Sequence, residues 1–210
     1  MARIVAQIGP VKMMRRPDRF AALVRAIIFQ QLAGRAAQTI HDRFVNLVGS
    51  GRFPTPEQVI AASDEILRQA GLSRGKLSYI RDLAGHVHGG TLNFRRFPRM
   101  DDEAIITELT RVRGIGRWTA EMFLMFNLWR PDVLPVDDLG LRNAAAKAYG
   151  SLVGAKELRE IGEPWRPYRT AASWYLWQST RIVTPDGGPP PAPVTVVRPA
   201  KPLRKRRAMV

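Results

Sequence analysis

The chain contains no cysteine, so disulfide bonds, thiolate zinc sites and cysteine-ligated iron–sulfur clusters are excluded. Histidine is scarce: His41, His86 and His88 are the only three, and they are too scattered along the chain to predict a metal site. No apolar run is long enough to cross a bilayer, and the first residues do not have the pattern of a signal peptide. We therefore expect a cytoplasmic protein without a membrane partner.

Acidic residues are few relative to basic ones. The 210 residues include 33 Lys and Arg against 18 Asp and Glu, which gives a net charge of +15. Such an excess favours a polyanionic partner, because each neutralised phosphate releases condensed counterions. Residues 185–210 contribute +5 of this charge, from six basic side chains and Asp186, so +10 remains on the rest of the chain.

Apolar residues recur at helical spacing along most of the chain, and no stretch shows strong strand alternation. Two such runs are Phe20, Leu23, Val24, Ile27, Ile28 and Gln31, and then Ile40, Phe44 and Leu47 up to the stop at residues 49–51. Residues that start helices precede further runs, namely Thr55 with Gln58, Ser63, Ser73, and Asp101 or Asp102. The sequence predicts an all-α fold of eight or more short helices.

Two glycines flank one apolar residue in the sequence VRGIGRWTA at residues 112–120. Gly114 and Gly116 permit a tight turn and a close backbone approach. Because residues 118–127 are predicted to be helical, the amides of Gly114, Gly116 and Arg117 would lie at a helix N-terminus, where they can bind a phosphate. An ordinary helix–helix turn that contains glycine fits the same residues.

The sequence VRGIGRWTA resembles the helix-hairpin-helix signature of the DNA glycosylase superfamily, most closely the 3-methyladenine DNA glycosylase II family. The resemblance covers most of residues 10–182 and is densest over 109–142. It implies two small helical subdomains with a cleft between them and the hairpin at about 105–127. Arg113 stands where the family usually has proline. By the resemblance, Arg113 would add a cation near the phosphate, and Thr119 of the same signature would be a further DNA contact.

The resemblance also implies that Asp138, which is 22 residues beyond Gly116, is catalytic. A carboxylate there would stabilise the oxocarbenium character of the sugar when an N-glycosidic bond breaks. Asp137 is expected to cap the following helix, residues 139–149, or to support its neighbour. Glu121 and Asp132 are interpreted as surface or packing residues.

Aromatic residues are expected to hold the flipped base. By the family match, the residues that contact it are Trp118, Trp174, Tyr175 and Met122, while Trp129, Trp165 and Trp177 are interpreted as core residues. Bifunctional relatives have a nucleophilic lysine at the position of Trp118, so the chain is expected to remove the base without nicking the strand.

Three more features follow from the resemblance. Gln31, or alternatively Gln30, would insert into the gap that the flipped nucleotide leaves, and Arg74 and Lys76 would contact phosphates. The main-chain carbonyls of Thr110, Val112 and Ile115 would bind a monovalent cation, Na⁺ or K⁺, and no other cofactor is expected.

These features predict a monofunctional DNA glycosylase of base excision repair that acts on alkylated purines of the 3-methyladenine type in double-stranded DNA. We expect a monomer, associated with the nucleoid if bacterial. Two alternatives stay open: a non-catalytic helix-hairpin-helix DNA-binding protein, and a glycosylase for another damaged base.

The proline-rich composition after residue 184 predicts a domain boundary, with the glycosylase domain at 1–184 and a flexible basic tail at 185–210. The tail is interpreted either as a non-specific DNA-binding arm or as a solvated segment.

Overall fold

The computed structural model describes residues 1–11, 18–150 and 152–182, and every regular element in these ranges is helical. The α-helices are α1 (Ala2–Ile8), α2 (Arg19–Phe29), α3 (Gly34–Gly49), α4 (Pro56–Ala61), α5 (Asp64–Gln69), α6 (Arg74–His88), α7 (Asp102–Thr110), α8 (Arg117–Phe123), α9 (Leu139–Tyr149), α10 (Ala155–Gly162) and α11 (Arg169–Ile182). None of them combines the length and the apolar character that crossing a membrane requires. The expected tail at 185–210 lies outside the described residues.

The helix starts that the sequence predicted are confirmed by their hydrogen bonds. The backbone N–H of Thr55 donates to Gln58 Oε1 at 2.9 Å, and the N–H of Gln58 donates back to Thr55 Oγ1 at 3.3 Å. The side chains of Ser63, Ser73 and Asp101 each accept a bond from the amide three residues later. Local capping chemistry therefore fixes where four of the helices begin.

The second helix ends two residues earlier than its apolar pattern suggested. Helix α2 stops at Phe29, and Gln31 has a left-handed backbone with φ of +56°. The assignment of Gln31 to the buried helical face was therefore wrong, because its exposed side chain leaves from a turn between α2 and α3.

The helix after the hairpin changes its winding. The expected helix at 118–127 is present as α8 followed by a π-helical turn at Leu124–Leu128, and Trp129 ends it with a left-handed φ of +59°. π-Helical turns are rare in proteins, and those that occur are frequently found at functional sites. This turn leads the chain towards the loop that carries Asp138.

The buried apolar residues that the structure describes form two large cores and a smaller cluster of Trp174 and Tyr175, which packs against α1. The first core is built from α2 to α8 and includes Leu23, Phe44, Ile80 and Leu109, and the second, built from α9 to α11, includes Leu141 and Leu158. Trp177 of α11 packs against both cores. The chain crosses from the first to the second along residues 133–141, so Asp138 lies at the boundary between them.

Candidate active site

Asp138 is held by hydrogen bonds to both of its carboxylate oxygens. Oδ2 accepts from Trp118 Nε1 at 2.7 Å, and Oδ1 accepts from Trp177 Nε1 at 3.0 Å and from the backbone N–H of Leu141 at 2.5 Å. The three donors come from α8, α11 and the first turn of α9. The carboxylate is therefore oriented by elements of both cores.

Asp138 is also the N-cap of α9. The expectation that Asp137 supplies the cap was wrong, since the bond to Leu141 belongs to Asp138 and Asp137 is exposed. Asp138 is thus both the helix cap and the candidate catalytic residue, because its two oxygens accept from different donors. Oδ1 accepts from the N–H of Leu141 and from Trp177, and Oδ2 accepts from Trp118.

The two indoles beside the carboxylate differ in exposure. Trp118 is 47% exposed although its N–H is bonded, so much of its ring is open to solvent. Trp177 is half-buried and lies 6.2 Å, between ring centroids, from Phe126. Its interpretation as a core residue alone was therefore incomplete, because its N–H reaches Asp138. Trp174 lies three residues earlier on the same helix and packs against α1, so helical spacing gave no signal for this contact.

Trp174 and Tyr175, the two aromatic residues of α11 that are expected at the base, are buried against α1. They are 7% and 8% exposed and pack against Ile4 and Ile8 of α1. The hydroxyl of Tyr175 donates to the carbonyl of Gly9 at 2.8 Å. The indole of α11 that donates to Asp138 is that of Trp177. The contact of Trp174 and Tyr175 with the base stays a prediction. Met122 is half-buried against the first core.

Glycine at position 140 makes room for this arrangement. A Cβ atom there would lie 3.2 Å from Asp138 Oδ1 and 3.8 Å from Trp177 Nε1. These distances are tight, so a side chain would press on the contact between the indole and the carboxylate.

The hairpin joins α7 to α8 through a turn that only glycine fits. Gly114 has a φ of +81°, and a Cβ on it would lie 2.2 Å from the ring of Tyr79. Gly116 is the N-cap of α8 and has no side-chain oxygen, so the amides of Arg117, Trp118 and Thr119 receive no capping bond. These amides lie at the positive end of the helix and are not used by a cap. The side chain of Thr119 itself is buried.

Arg113 and Arg117, on either side of the hairpin turn, are each paired with carboxylates. Asp82 accepts from the backbone N–H of Arg113 at 2.8 Å and from its Nε at 3.1 Å. Although partial burial of Asp82 opposes them, these bonds hold the pKa of Asp82 below its ordinary value. A proline at position 113 has no N–H for the first bond, so the departure from the family pattern gives the hairpin an additional brace.

Arg117 joins the two helices of the hairpin. Its guanidinium binds Glu103 of α7, with Nη1 at 3.0 Å from Oε2, and Glu121 of α8, with Nε at 3.1 Å from Oε1. Glu121 is 4% exposed, and burial raises its pKa to about 7 although the Arg117 charge opposes this. Glu121 is thus a packing residue, as expected, with a proton affinity that is unusual for a carboxylate.

The loop between α2 and α3 contacts the hairpin directly. Gln30 Nε2 donates to the carbonyl of Gly114 at 2.8 Å, while Gln31 is exposed. Lys76 does not extend to solvent as a phosphate contact would: its Nζ donates to the carbonyls of Ile28 and Gln30 at 2.6 and 2.7 Å, which corrects that expectation. Arg74 is exposed, and its side chain pairs with no other described residue.

The carbonyls expected to bind a cation lie in the same turn. The carbonyl of Val112 accepts from the N–H of Ile115 at 3.1 Å, while those of Thr110 and Ile115 accept no hydrogen bond from another described residue. Carbonyl oxygens without donors suit a hard monovalent cation. No cluster of three His, Cys, Asp or Glu side chains that could hold a metal occurs in the described ranges.

The family model described as HhH-GPD superfamily base excision DNA repair protein matches residues 24–167. DNA-3-methyladenine glycosylase 1 of Schizosaccharomyces pombe is 34% identical over 185 residues, which are 87% of this chain and 81% of the relative.

Two solved structures are similar in sequence and in fold. The S. pombe 3-methyladenine DNA glycosylase in complex with abasic DNA superposes with a TM-score of 0.77 at 34% identity, over 87% of this chain and 91% of that one. The DNA-3-methyladenine glycosidase of Bacillus halodurans superposes with a TM-score of 0.79 at 42% identity, over 85% and 82%.

Proposed function

Because the chain belongs to the HhH-GPD superfamily of base excision DNA repair proteins and, within it, to the 3-methyladenine DNA glycosylases, we propose that it is a monofunctional glycosylase of the type II kind that excises alkylated purines from DNA. The observation that carries the proposal is the carboxylate of Asp138, bracketed by two indole N–H groups beside the hairpin. An alkylated base extruded into this site would meet the exposed ring of Trp118.

The chemistry needs one carboxylate. A purine alkylated on a ring nitrogen is cationic, so it leaves without a strong general acid, and the positive charge then develops on the sugar. The Asp138 carboxylate stabilises that charge and orients the attacking water. The cationic base gains about 0.5–2 kcal/mol from an indole face. The product is an abasic site.

DNA would be held through its backbone. The uncapped amides of α8 are suited to a phosphate, and their contact does not depend on the base sequence. A Na⁺ or K⁺ on the carbonyls of Thr110, Val112 and Ile115 would add positive charge at the same turn, while hydrolysis itself requires no cofactor. Arg74 is a further phosphate contact in this proposal, and exposed Gln31 fills the gap beneath the flipped nucleotide.

The proposal includes base removal alone. A glycosylase that also cleaves the strand forms a Schiff base through an amine, and the indole of Trp118, at the position where bifunctional relatives have lysine, offers none. We also propose that the protein acts as a monomer in the cytoplasm on alkylated double-stranded DNA.

The test is chromatography of the bases released from randomly methylated duplex DNA. We expect the wild-type chain to release methylated purines and to leave alkali-labile but unbroken strands. Asp138→Asn should release none at equal DNA binding, because an amide does not stabilise a cation as a carboxylate does. If the protein releases only another damaged base, the proposed substrate class is wrong. If it binds DNA and releases no base, it is a non-catalytic DNA-binding protein.

A further inference from the structure

Helix α6 presents three side chains at three-residue spacing towards the hairpin and the loop between α2 and α3. They are Lys76, Tyr79 and Asp82. Residues three apart lie on the same face of a helix, so the three form one stripe. Each contacts a different part of the proposed DNA-binding surface.

The N-terminal end of the stripe holds the loop. Lys76 Nζ binds the carbonyls of Ile28 and Gln30 at 2.6 and 2.7 Å, at the C-terminal end of α2, where a helix leaves carbonyls unpaired. A cation is also favoured there by the helix dipole. Burial lowers the pKa of Lys76, as expected for an ammonium directed into the protein.

The middle and the C-terminal end of the stripe hold the hairpin. The ring of Tyr79 fills the space beside Gly114 in which a Cβ would lie, and Asp82 binds both the N–H and the Nε of Arg113. One rigid helix thus fixes both elements.

Gln30 then joins the loop to the hairpin directly. Its carbonyl accepts from Lys76 and its side-chain amide donates to the carbonyl of Gly114 at 2.8 Å. The next residue, Gln31, has a left-handed φ of +56°, which costs a non-glycine residue on the order of 1–2 kcal/mol. Such a conformation persists only where its surroundings enforce it.

We propose that Gln30, braced by Lys76, is a positioning residue that sets the distance between the phosphate-binding hairpin and the side chain of Gln31. The inference rests on the proposed function. A side chain replaces an extruded nucleotide only if it enters the duplex at a fixed offset from the phosphate that the hairpin grips. A loop without this link must be ordered during each flipping event, at the expense of binding energy.

The test compares a paired with an unpaired lesion under single-turnover conditions. One duplex carries the lesion opposite thymine, and the other carries it opposite an abasic-site analogue, where extrusion is less costly. We expect Gln30→Ala to slow release from the paired lesion about tenfold or more, since the Gly114 carbonyl loses its donor. Release from the unpaired lesion should change by less than about threefold, and the affinity for undamaged duplex should not change.

Two further variants separate positioning from folding. Gln69→Ala removes the same side chain from an exposed position on α5 and should behave as wild type. Gln30→Met keeps the length of the side chain without the donor and should reproduce the paired-lesion defect of Gln30→Ala. With 2-aminopurine at the target position, both Gln30 variants should give a smaller fluorescence rise on binding.

The outcomes distinguish this inference from the proposed function. If wild type releases methylated purines and both Gln30 variants match it on the paired lesion, the positioning role is wrong while the function stands. Equal slowing on paired and unpaired lesions also overturns the inference, because it indicates a general loss of structure. Absence of release by wild type from either duplex overturns the proposed function and this inference with it.

Discussion

Asp138 occupies two positions that usually belong to different residues, the cap of a helix and the centre of a site. Its bond to the N–H of Leu141 anchors α9, and the indoles of Trp118 and Trp177 approach the same carboxylate from either side. Asn is therefore the informative replacement, because its side-chain oxygen also caps a helix. Replacement by Ala would lose the cap as well, at about 1 kcal/mol.

Trp177→Phe isolates the indole N–H from the rest of its side chain. The variant keeps an aromatic ring between the two cores but removes the donor to Asp138 Oδ1. We expect single-turnover release of methylated purines to fall by about tenfold to hundredfold, because the loss of a hydrogen bond to a charged group costs about 1.5–3 kcal/mol. Trp165→Phe is the matched control. Trp165 packs on the second core and is not among the hydrogen-bond donors to Asp138, so the release rate of this variant should equal that of wild type.

The buried carboxyl of Glu121 predicts an unusual dependence of stability on pH. Its pKa is raised from the ordinary value of 4.5 to about 7, so the folded chain binds this proton more tightly than the unfolded chain does. Protonated Glu121 contributes its whole share to the free energy of unfolding below pH 4.5. This contribution, up to about 3 kcal/mol, is lost as the pH rises from 4.5 through 7.

Urea unfolding of wild type and Glu121→Gln at pH 4.5 and 7.5 measures this contribution. The difference in the free energy of unfolding, variant minus wild type, should grow with pH, because Gln has no proton to lose. A difference independent of pH would show that Glu121 titrates normally.

Within the hairpin that joins α7 to α8, replacing the two glycines by alanine is predicted to affect stability differently. Gly114→Ala places a methyl group against the Tyr79 ring at a φ of +81° and should destabilise the fold by about 2 kcal/mol or more. A Cβ atom on Gly116 would have no neighbour within 4 Å, and the φ there is an ordinary −89°, so the stability of Gly116→Ala should lie within about 0.5 kcal/mol of wild type.

Although Gly116→Ala should hardly change stability, it should lower the affinity for duplex DNA. A methyl group at the end of α8 stands where a phosphate approaches, so we expect Gly116→Ala to weaken binding about tenfold, or about 1.4 kcal/mol. Fluorescence anisotropy with an undamaged duplex measures this. Unchanged affinity in a folded Gly116→Ala chain would remove the hairpin amides from the DNA contact.

The helices were predictable because their causes are local. Thr55, Ser63 and Asp101 predict helix starts because their side chains can accept a bond from the amide three residues later. The structure confirms these three starts. The left-handed Gln31 and the π turn after Phe123 carry no local signal. Gln31 follows the carbonyl that Lys76 of α6 binds, and the residues of the π turn pack in the first core. Trp177 was missed because the sequence does not show which face of α11 meets Asp138.

At the scale of the whole molecule, the excess of basic residues is not confined to the tail. The chain ending at residue 182 keeps 27 Lys and Arg against 17 Asp and Glu, a net charge of +10. We therefore expect this shortened chain to bind undamaged duplex with an affinity that falls steeply with salt. In a plot of the logarithm of the binding constant against the logarithm of the salt concentration, the slope should be about −0.9 for each phosphate contacted.

Anisotropy titrations between about 50 and 200 mM salt, over which a strongly basic protein loses much of its affinity, measure the slope for both chains. A steeper slope for the full chain counts the phosphates that residues 183–210 contact and favours the arm; equal slopes favour a solvated segment. Loss of salt-dependent binding on shortening would locate the DNA contact in the tail rather than around the hairpin.

The half-exposed Trp118 gives the protein an internal optical reporter. Its indole is 47% exposed and bonded to Asp138, whereas each of the other four tryptophans is buried or half-buried. A purine that stacks on this ring would quench its emission and displace surrounding water in one event. Intrinsic fluorescence can therefore follow the arrival and departure of a nucleobase in real time, without a dye on either molecule.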